Sequence, residues 1–167
     1  FLVINEIMNR PETEGGGYVE IYNTSSSNTL ELTGFYLDGN IKFTFPDGWM
    51  LGPASCAVVA EDSTVFQSLY GGIRALAGAG SGTLGESGIV RLRRPATGME
   101  LDDPILDAVN YGAPGWQSET DAGIPYQRID PLGGSCQPAN WCISKTASHS
   151  VSGHTILPLN TSWSYYN

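Results

Sequence analysis

The sequence predicts an all-β domain, a sandwich or barrel of short strands with one short helix. Three observations lead there. Short runs rich in Val, Ile, Tyr and Phe recur along the 167 residues, separated by Gly, Pro, Asn and Asp. Gly 21 and Pro 10 supply many turn positions. Charged residues make up only 15%, against about 25% in an average soluble protein, which argues against charge-driven disorder.

The first half of the chain contains five such runs. They are "LVINEIM" (2–8), "YVEIYN" (18–23), "LTGFYLD" (32–38), "IKFTF" (41–45) and "CAVVA" (56–60). Gly39-Asn40 is a hairpin-type dipeptide between the third and fourth runs. Because side chains alternate along a strand, Val19, Ile21, Phe35 and Leu37 can face one core. The nearly all-apolar fifth run predicts a strand covered on both faces.

A helix start signal follows, and strands resume after it. Asp62 or Ser63 can cap a short helix over 62–71, in which Val65, Phe66 and Leu69 have helical spacing. The later strand candidates are "SGIVRLRRP" (87–95), which has one wet face, "ILDAVNYG" (105–112), "YQRID" (126–130) and the Tyr-rich tail (154–167).

Composition excludes some classes of partner. The chain has 8 Lys and Arg against 17 Asp and Glu, a net charge of −9. Such a surface repels phosphate backbones, so nucleic-acid and anionic-membrane binding are disfavoured. We find no apolar run of about 18 residues, the minimum for a membrane-spanning helix. The chain begins with Phe1 rather than Met, from which we expect a mature or excised form and an extracellular or cell-surface location.

Three cysteines and two sequons fit an exported protein. Cys56 lies in an apolar run, where a buried inert thiol is expected. Cys136 and Cys142 flank "QPANW", and we predict a disulfide between them over a free pair. Asn23 and Asn160 begin Asn-x-Ser/Thr sequons and are candidate glycosylation sites.

Nine quoted segments, in this order, carry a resemblance to a known family. They are "INEIMNR" (4–10), "YVEIYN" (18–23), "LTGFYLDG" (32–39), "FTFPDG" (43–48), "AVVAEDSTVF" (57–66), "GTLGESGIVRLRRPATG" (82–98), "LDAVNYG" (106–112), "GIPYQRIDP" (123–131) and "NWCIS" (140–144). The chain resembles the lamin tail domain, in the version found in secreted and surface proteins of prokaryotes.

The resemblance implies an immunoglobulin-like β-sandwich with no known catalytic residues. It places Val19 and Ile21 inside, with Asn23 turning the end of a strand. It covers about residues 3–145, so we expect a lamin-tail-like domain over 1–145. Residues 146–167 replace the family's usual small-residue ending. We expect this C-terminal extension to pack as a strand on the same or a neighbouring subunit.

The histidines and several acidic residues are the side chains that could carry catalysis or bind a metal ion. His149 and His154 lack the spacing of a zinc site or triad and are interpreted as exposed loop residues. We expect no cofactor; calcium is the alternative, with Asp102, Asp103 and Asp107 as candidate ligands. They lack a regular calcium-loop pattern, so a solvated acidic edge is favoured. Glu6 and Glu20 are expected to point outward from their strands rather than to form a glycosidase pair. We therefore predict no enzyme activity.

Two further groups point to binding. Trp116 can stack on a glycan, although a tryptophan that plugs one end of the sandwich is the simpler interpretation. Arg91, Arg93 and Arg94 concentrate positive charge and can pair with an acidic patch of a neighbour, or they form an ordinary wet strand face.

These observations lead to one leading hypothesis and two alternatives. The first is a non-catalytic structural or interaction module at the cell surface, in which loops and edges contact a protein partner. The second is a subunit of an extracellular filament that adds the "FLVINEIM" strand or the tail to a neighbour's sheet edge. The third is a targeting appendage of a larger secreted hydrolase or nuclease.

Overall fold

The computed structural model describes residues 1–71, 76–96, 103–116, 122–143, 150–151 and 154–155. The strands in chain order are β1 (Leu2–Met8), β2 (Tyr18–Asn23), β3 (Leu30–Glu31), β4 (Tyr36–Gly39), β5 (Ile41–Thr44), β6 (Met50–Leu51), β7 (Cys56–Ala60), β8 (Leu76–Ala79), β9 (Ser81–Gly82), β10 (Gly88–Arg93), β11 (Ile105–Tyr111), β12 (Tyr126–Arg128), β13 (Trp141–Ile143), β14 (Ser150–Val151) and β15 (His154–Thr155). Helix α1 spans Ser63–Tyr70, and a single 3-10 turn spans Pro138–Asn140. The predicted all-β class with one short helix is confirmed.

Two larger sheets form an immunoglobulin-like sandwich. The six-stranded sheet has the order β13-β12-β1-β2-β7-β8, and the five-stranded sheet has the order β11-β10-β4-β5-β9. Their paired strands are antiparallel, apart from the parallel pair β7 and β8. Two short two-stranded sheets, β3-β6 and β14-β15, complete the described structure. Among the described residues, no helix has the length and apolar character to span a membrane.

The main core lies between the two larger sheets and follows the predicted alternation. Val19 and Ile21 of β2 and Leu37 of β4 are buried in it, and Phe35 packs against it, as expected. Val90 and Leu92 of β10 are buried there too, so the arginines that alternate with them lie on the other face. Period 2 therefore identified the correct inward-facing set on these strands.

The Gly39-Asn40 hairpin predicted between β4 and β5 is confirmed. Gly39 has a φ of 102°, and a Cβ atom there would lie 2.1 Å from the carbonyl oxygen of Ile89. Only glycine fits this approach. The Asn40 side chain accepts from the backbone N–H of Ile89 at 2.9 Å, which joins the turn to β10.

Strand β1 lies inside the six-stranded sheet, where it pairs with β2 on one side and β12 on the other. Its register with β2 shifts between Ile4 and Glu6, so Asn5 is the extra residue of a β-bulge. Strand β1 is part of the domain's own sheet, paired with β2 along its length and with β12 at Glu6 and Ile7. The hypothesis that "FLVINEIM" adds to a neighbour's sheet edge would therefore require this strand to leave its own sheet.

Helix α1 covers part of the outer face of the six-stranded sheet. Asp62 caps its start: one carboxylate oxygen accepts from the N–H groups of Thr64 and Val65 at 2.7 and 3.0 Å. Phe66 packs in a second apolar cluster with Tyr18, Val58 and other outer-face residues. Strand β7 is thus buried on both faces, as its apolar sequence predicted.

Of the predicted C-terminal extension, the structure describes β14 and β15, which pair with each other. The rest of the extension (146–149, 152–153 and 156–167) lies outside the described residues. Its packing as a strand on the same or a neighbouring subunit therefore stays a prediction.

Candidate functional site

Four polar side chains contact one another on the outer face of the five-stranded sheet. In the register of β4 and β10, Asp38 is opposite Arg91 and Tyr36 is opposite Arg93. All four point away from the core because they alternate with Leu37 and Leu92. We call Tyr36, Asp38, Arg91 and Arg93 the arginine face.

Two guanidinium groups of the arginine face share one carboxylate. Arg91 Nε lies 2.7 Å from Asp38 Oδ1 as an ion pair, and Arg93 Nε donates to Asp38 Oδ2 at 2.5 Å. Arg93 Nη1 also donates to the carbonyl oxygen of Asp103 at 2.7 Å. The two arginines and one aspartate of this face carry a net charge of +1, on a chain whose net charge is −9.

The arginine face is partly open to solvent and has an apolar margin. The side chains of Arg91 and Arg93 are 29% and 18% exposed. Ile105 of the outermost strand β11, which pairs with Arg93, is 50% exposed, and its neighbour Leu106 is 40% exposed. Arg94 follows the end of β10 and is exposed. The wet strand face predicted here is therefore correct, and one acid of the next strand organises it.

The candidate calcium ligands do not converge. Asp103 accepts from the Tyr36 hydroxyl at 2.9 Å and from the Ala96 N–H at 2.7 Å, beside the arginine face. Asp107 is buried and pairs with Arg128 on the other sheet. Asp102 lies outside the described residues. Among the described residues, no group of three or more His, Cys, Asp or Glu is arranged to hold a metal ion. Asp103 and Asp107 thus have hydrogen-bond and ion-pair partners in different parts of the fold.

A second set of polar side chains is buried on the outer face of the six-stranded sheet. The strand registers place Cys142, Gln127, Glu6 and Glu20 side by side across β13, β12, β1 and β2. We call these four residues the polar row. Glu6 is 0% exposed, and Glu20 and Gln127 are each 2% exposed. The expectation that Glu6 and Glu20 point outward is correct for the face of the sheet, but both are buried rather than solvated.

Burial changes the acid–base behaviour of the polar row. It raises the pKa of Glu6 well above its usual value, and the negative charge of Glu20 opposite adds to this increase. Burial also raises the pKa of Glu20, against hydrogen bonds from Asn5 and Cys56 that favour its charged form. A glycosidase needs two carboxyls that can reach a substrate, and these two are enclosed.

The cysteines are free thiols in the structure. Cys136 is exposed, and its Sγ donates to the carbonyl oxygen of Ala108 on β11 at 3.2 Å. Cys142 belongs to the polar row on β13. The structure has no bond between Cys136 and Cys142, so the predicted disulfide stays a prediction for the protein in solution. Cys56 is half-buried, and burial raises its pKa well above the usual value, which agrees with the expected inert thiol.

The two sequons have different outcomes. Asn23 is 0% exposed. Its Nδ2 donates to the carbonyl oxygens of Asn28 and Gly52, both at 2.8 Å, and its Oδ1 accepts from the Ser25 N–H at 3.0 Å. A glycan on this nitrogen is incompatible with the folded domain, so the candidate site at Asn23 is wrong, although Asn23 does end strand β2 as the family resemblance implied. Asn160 lies outside the described residues.

The candidate glycan platform at Trp116 is part of the packing. Its ring lies 5.0 Å from that of Tyr126 and 5.4 Å from that of Trp141, between ring centroids. Trp116 is partly buried and packs against the main core, which agrees with the simpler interpretation. His149 and the side chain of His154 lie outside the described residues.

Sequence reasoning found the arginines and missed their partners. Tyr36 and Asp38 alternate with Leu37, so the same period-2 argument places them on the outer face of β4. Their pairing with β10 was not visible, because the register of strands about 50 residues apart in sequence is set by tertiary packing.

Comparison with known proteins agrees with the fold. A profile of the Lamin Tail Domain family matches residues 2–112, which is more than half of the chain. The chain matches none of the curated proteins and none of the solved structures with which it was compared. The family consists of immunoglobulin-like domains without enzymatic activity that mediate protein interactions. The profile match, together with the sandwich described above, shows that this chain belongs to the lamin tail domain family.

Proposed function

We propose that this domain is a non-catalytic interaction module exposed outside the cell, and that it binds an acidic segment of a protein partner through the arginine face. The observation that carries the proposal is the sharing of Asp38 by two partly exposed arginines. Their charge exceeds that of their shared acid, and a guanidinium group has five N–H donors, so each arginine can bind Asp38 and an incoming carboxylate at the same time.

The composition of the arginine face favours a protein partner over a polyanion. Arg and Tyr are enriched at the energetic centres of protein interfaces. The exposed side chains of Ile105 and Leu106 supply apolar contact at the margin. A nucleic acid would meet this small positive patch on a strongly acidic chain and be repelled by the rest of the surface.

The spacing of the two arginines defines the partner further. Arg91 and Arg93 are two residues apart on one strand face, so their Cα atoms are separated by about 6.5 Å, twice the rise per strand residue. An extended partner segment with carboxylates at positions i and i+2 has the same spacing. We therefore expect a Glu-x-Glu or Asp-x-Asp segment with apolar residues beside it.

A binding titration tests the arginine face. The probe is a labelled synthetic peptide containing Val-Glu-Thr-Glu-Val, and its control replaces both glutamates with glutamine. We expect the acidic peptide to bind, more weakly as salt increases, and R91Q/R93Q to lose about tenfold or more in affinity, since each charge-assisted hydrogen bond contributes about 1.5–3 kcal/mol. K42Q, on the neighbouring strand β5, is the matched charge control. Equal binding of both peptides, or full binding by R91Q/R93Q, contradicts the proposal.

The extracellular location is supported by the resemblance of the quoted motifs to the secreted and surface version of the family. Brief protease treatment of intact producing cells, followed by detection of the domain in cells and medium, tests it. We expect the domain in the medium or cleaved from the surface. A domain that is protected until the cells are lysed contradicts an extracellular location.

Two alternatives follow from the same sandwich. In the first, the C-terminal tail adds as a strand to the outer edge of β8 or β13, which are the outermost strands of the six-stranded sheet among the described residues, and so builds a filament. Sedimentation of the native protein distinguishes this alternative from the interaction module. A filament subunit associates as its concentration increases, whereas the module stays monomeric. In the second, the domain targets a larger secreted hydrolase or nuclease. The length of the gene beyond the codon for Asn167 tests this alternative.

A further inference from the structure

The polar row places two carboxyl groups directly opposite each other inside the protein. Glu6 on β1 and Glu20 on β2 are register partners, and their side chains lie on the same face of the sheet. Cβ atoms of such partners are about 5 Å apart. Two buried carboxylates at this distance repel each other in a medium of low dielectric constant. Neutral side chains, among them Asn5, Tyr18 and Cys56, are the hydrogen-bond partners of the two carboxyl groups.

The two glutamates have unequal hydrogen-bond partners. Glu20 Oε1 accepts from Asn5 Nδ2 at 2.8 Å, a donor that the β-bulge places beside it, and the Cys56 thiol is a second partner. Glu6 Oε1 accepts from the Tyr18 hydroxyl, and the Gln127 side chain is a second hydrogen-bond partner of this carboxyl group, while Glu6 Oε2 has no partner among the described residues. Donors favour the charged form of both carboxyl groups, but only Glu6 has a buried oxygen without a partner, and the charge of Glu20 adds to burial in raising the pKa of Glu6, so Glu6 is the group that retains a proton.

We propose that Glu6 and Glu20 retain one proton between them at neutral pH, with Glu6 as the neutral acid and Glu20 as the carboxylate, and that this proton keeps helix α1 packed on the sheet. The inference concerns the buried face of the six-stranded sheet and is independent of the arginine face.

Tyr18 connects the proton to the helix. Its hydroxyl donates to Glu6, and its ring makes edge contacts with Phe66 and Tyr70 of α1, at centroid distances of 5.3 and 5.5 Å. When Glu6 loses its proton, a second buried charge appears beside Glu20. Water or structural opening must then solvate that charge. Tyr18 lies between this charge and the helix, so α1 is the element that separates first.

Other titratable groups face the pair from the surrounding strands and helix. They are Tyr18 and Tyr22 on β2, Cys56 on β7, Cys142 on β13 and Tyr70 on α1. Burial is the first cause that raises the pKa of each of these groups, and for Tyr70 it raises the pKa to about 12. Burial therefore favours the neutral form of each of these groups.

The direction of the pH effect follows from the raised pKa values of Glu6 and Glu20. In the unfolded chain a glutamate titrates near about pH 4.3. The stabilisation from a raised carboxyl pKa is complete below that pH and is lost as the pH rises through the folded-state value. Within this window the folding equilibrium constant decreases by up to about tenfold per pH unit for each proton retained.

Substitution of Glu6 by glutamine tests the inference, because glutamine resembles the neutral acid in shape and has no proton to lose. We expect the folding equilibrium constant of E6Q, measured by urea unfolding from acid to alkaline pH, to decrease less with pH than that of the wild type. The protection of the α1 amides against hydrogen exchange, taken relative to the intrinsic base-catalysed rate at each pH, should decrease at alkaline pH in the wild type and decrease less in E6Q. E31Q, at an exposed strand position, is the matched control and should follow the wild type.

An NMR titration of isotope-labelled glutamate Cδ signals in the wild type tests whether Glu6 retains its proton at neutral pH, and it does so even if E6Q does not fold. One signal that titrates far above the others, and is assigned to Glu6, supports the inference. Ordinary titration of every glutamate, or parallel pH profiles for E6Q and the wild type, overturns it.

Discussion

Arg128 Nη1 lies 2.6 Å from Asp107 Oδ2, and this buried ion pair joins β12 of one sheet to β11 of the other. The same Asp107 oxygen accepts from the Ile4 N–H at 2.8 Å, and Arg128 Nη1 donates to the Ile4 carbonyl oxygen at 3.0 Å. These two backbone groups are next to the bulge at Asn5. The bulge therefore directs β1 toward an ion pair that closes one side of the sandwich.

Removal of one partner of this pair should be costly. We expect D107A to lower the free energy of unfolding by about 3–5 kcal/mol, because Arg128 is left as an uncompensated buried charge. D38A removes the acid of a partly exposed pair and should cost about 1 kcal/mol or less. Urea unfolding at neutral pH measures both. If D107A is no more destabilising than D38A, the ion pair does not have the structural role described here.

Asn23 should contribute to stability through its amide. N23A leaves the carbonyl oxygens of Asn28 and Gly52 without their donor, and we expect it to lower the free energy of unfolding by about 2–3 kcal/mol. N110A, at an exposed position of β11, should stay within about 0.5 kcal/mol of the wild type. Equal stability of the two variants would show that the Asn23 contacts are replaced by water at little cost.

The cap of helix α1 makes a smaller and separable contribution. D62A removes the acceptor of the Thr64 and Val65 N–H groups and should lower the free energy of unfolding by about 1 kcal/mol. D62N keeps a capping oxygen and should retain most of the stability. Urea unfolding of the two variants side by side is the measurement. A D62N variant that loses as much as D62A would point to the charge of Asp62 rather than to its hydrogen bonds.

Local patterns in the sequence predicted much of the fold, because strand alternation and turn chemistry act over a few residues. The inward positions of Val19, Ile21 and Leu37, the Gly39-Asn40 turn and helix α1 were all expected and are present. Each depends on neighbours within one strand, turn or helix.

The errors concern burial and pairing between distant residues. A sequon marks Asn23 without information on whether its amide is enclosed, and an acidic cluster does not reveal that Asp107 pairs with Arg128, 21 residues away. Glu6 and Glu20 show a third case. Alternation correctly places them on the outer face of the sheet, but it cannot show that this face is itself buried.

The three thiols should differ strongly in reactivity. Cys136 is exposed, whereas burial raises the pKa of Cys56 well above its usual value, with a further increase from the charge of Glu20. Burial, and then the charge of Glu6, raises the pKa of Cys142 as well. Since the thiolate is the reactive form, a raised pKa lowers the labelling rate: the thiolate fraction falls by about tenfold per pKa unit, and the greater nucleophilicity of a more basic thiolate offsets only part of this loss. We expect iodoacetamide at neutral pH to label Cys136 first and Cys56 last.

Peptide mass spectrometry after timed labelling without reductant measures these rates. C136S should lose the fast phase, and labelling in urea should make the remaining thiols similar, since both differences arise from the fold. Equal labelling of Cys56 and Cys136 in the native protein contradicts the burial described for Cys56. If Cys136 and Cys142 instead remain unlabelled and are recovered as one linked peptide pair, the disulfide predicted from the sequence forms in solution, and the Cys136 contact with Ala108 is replaced.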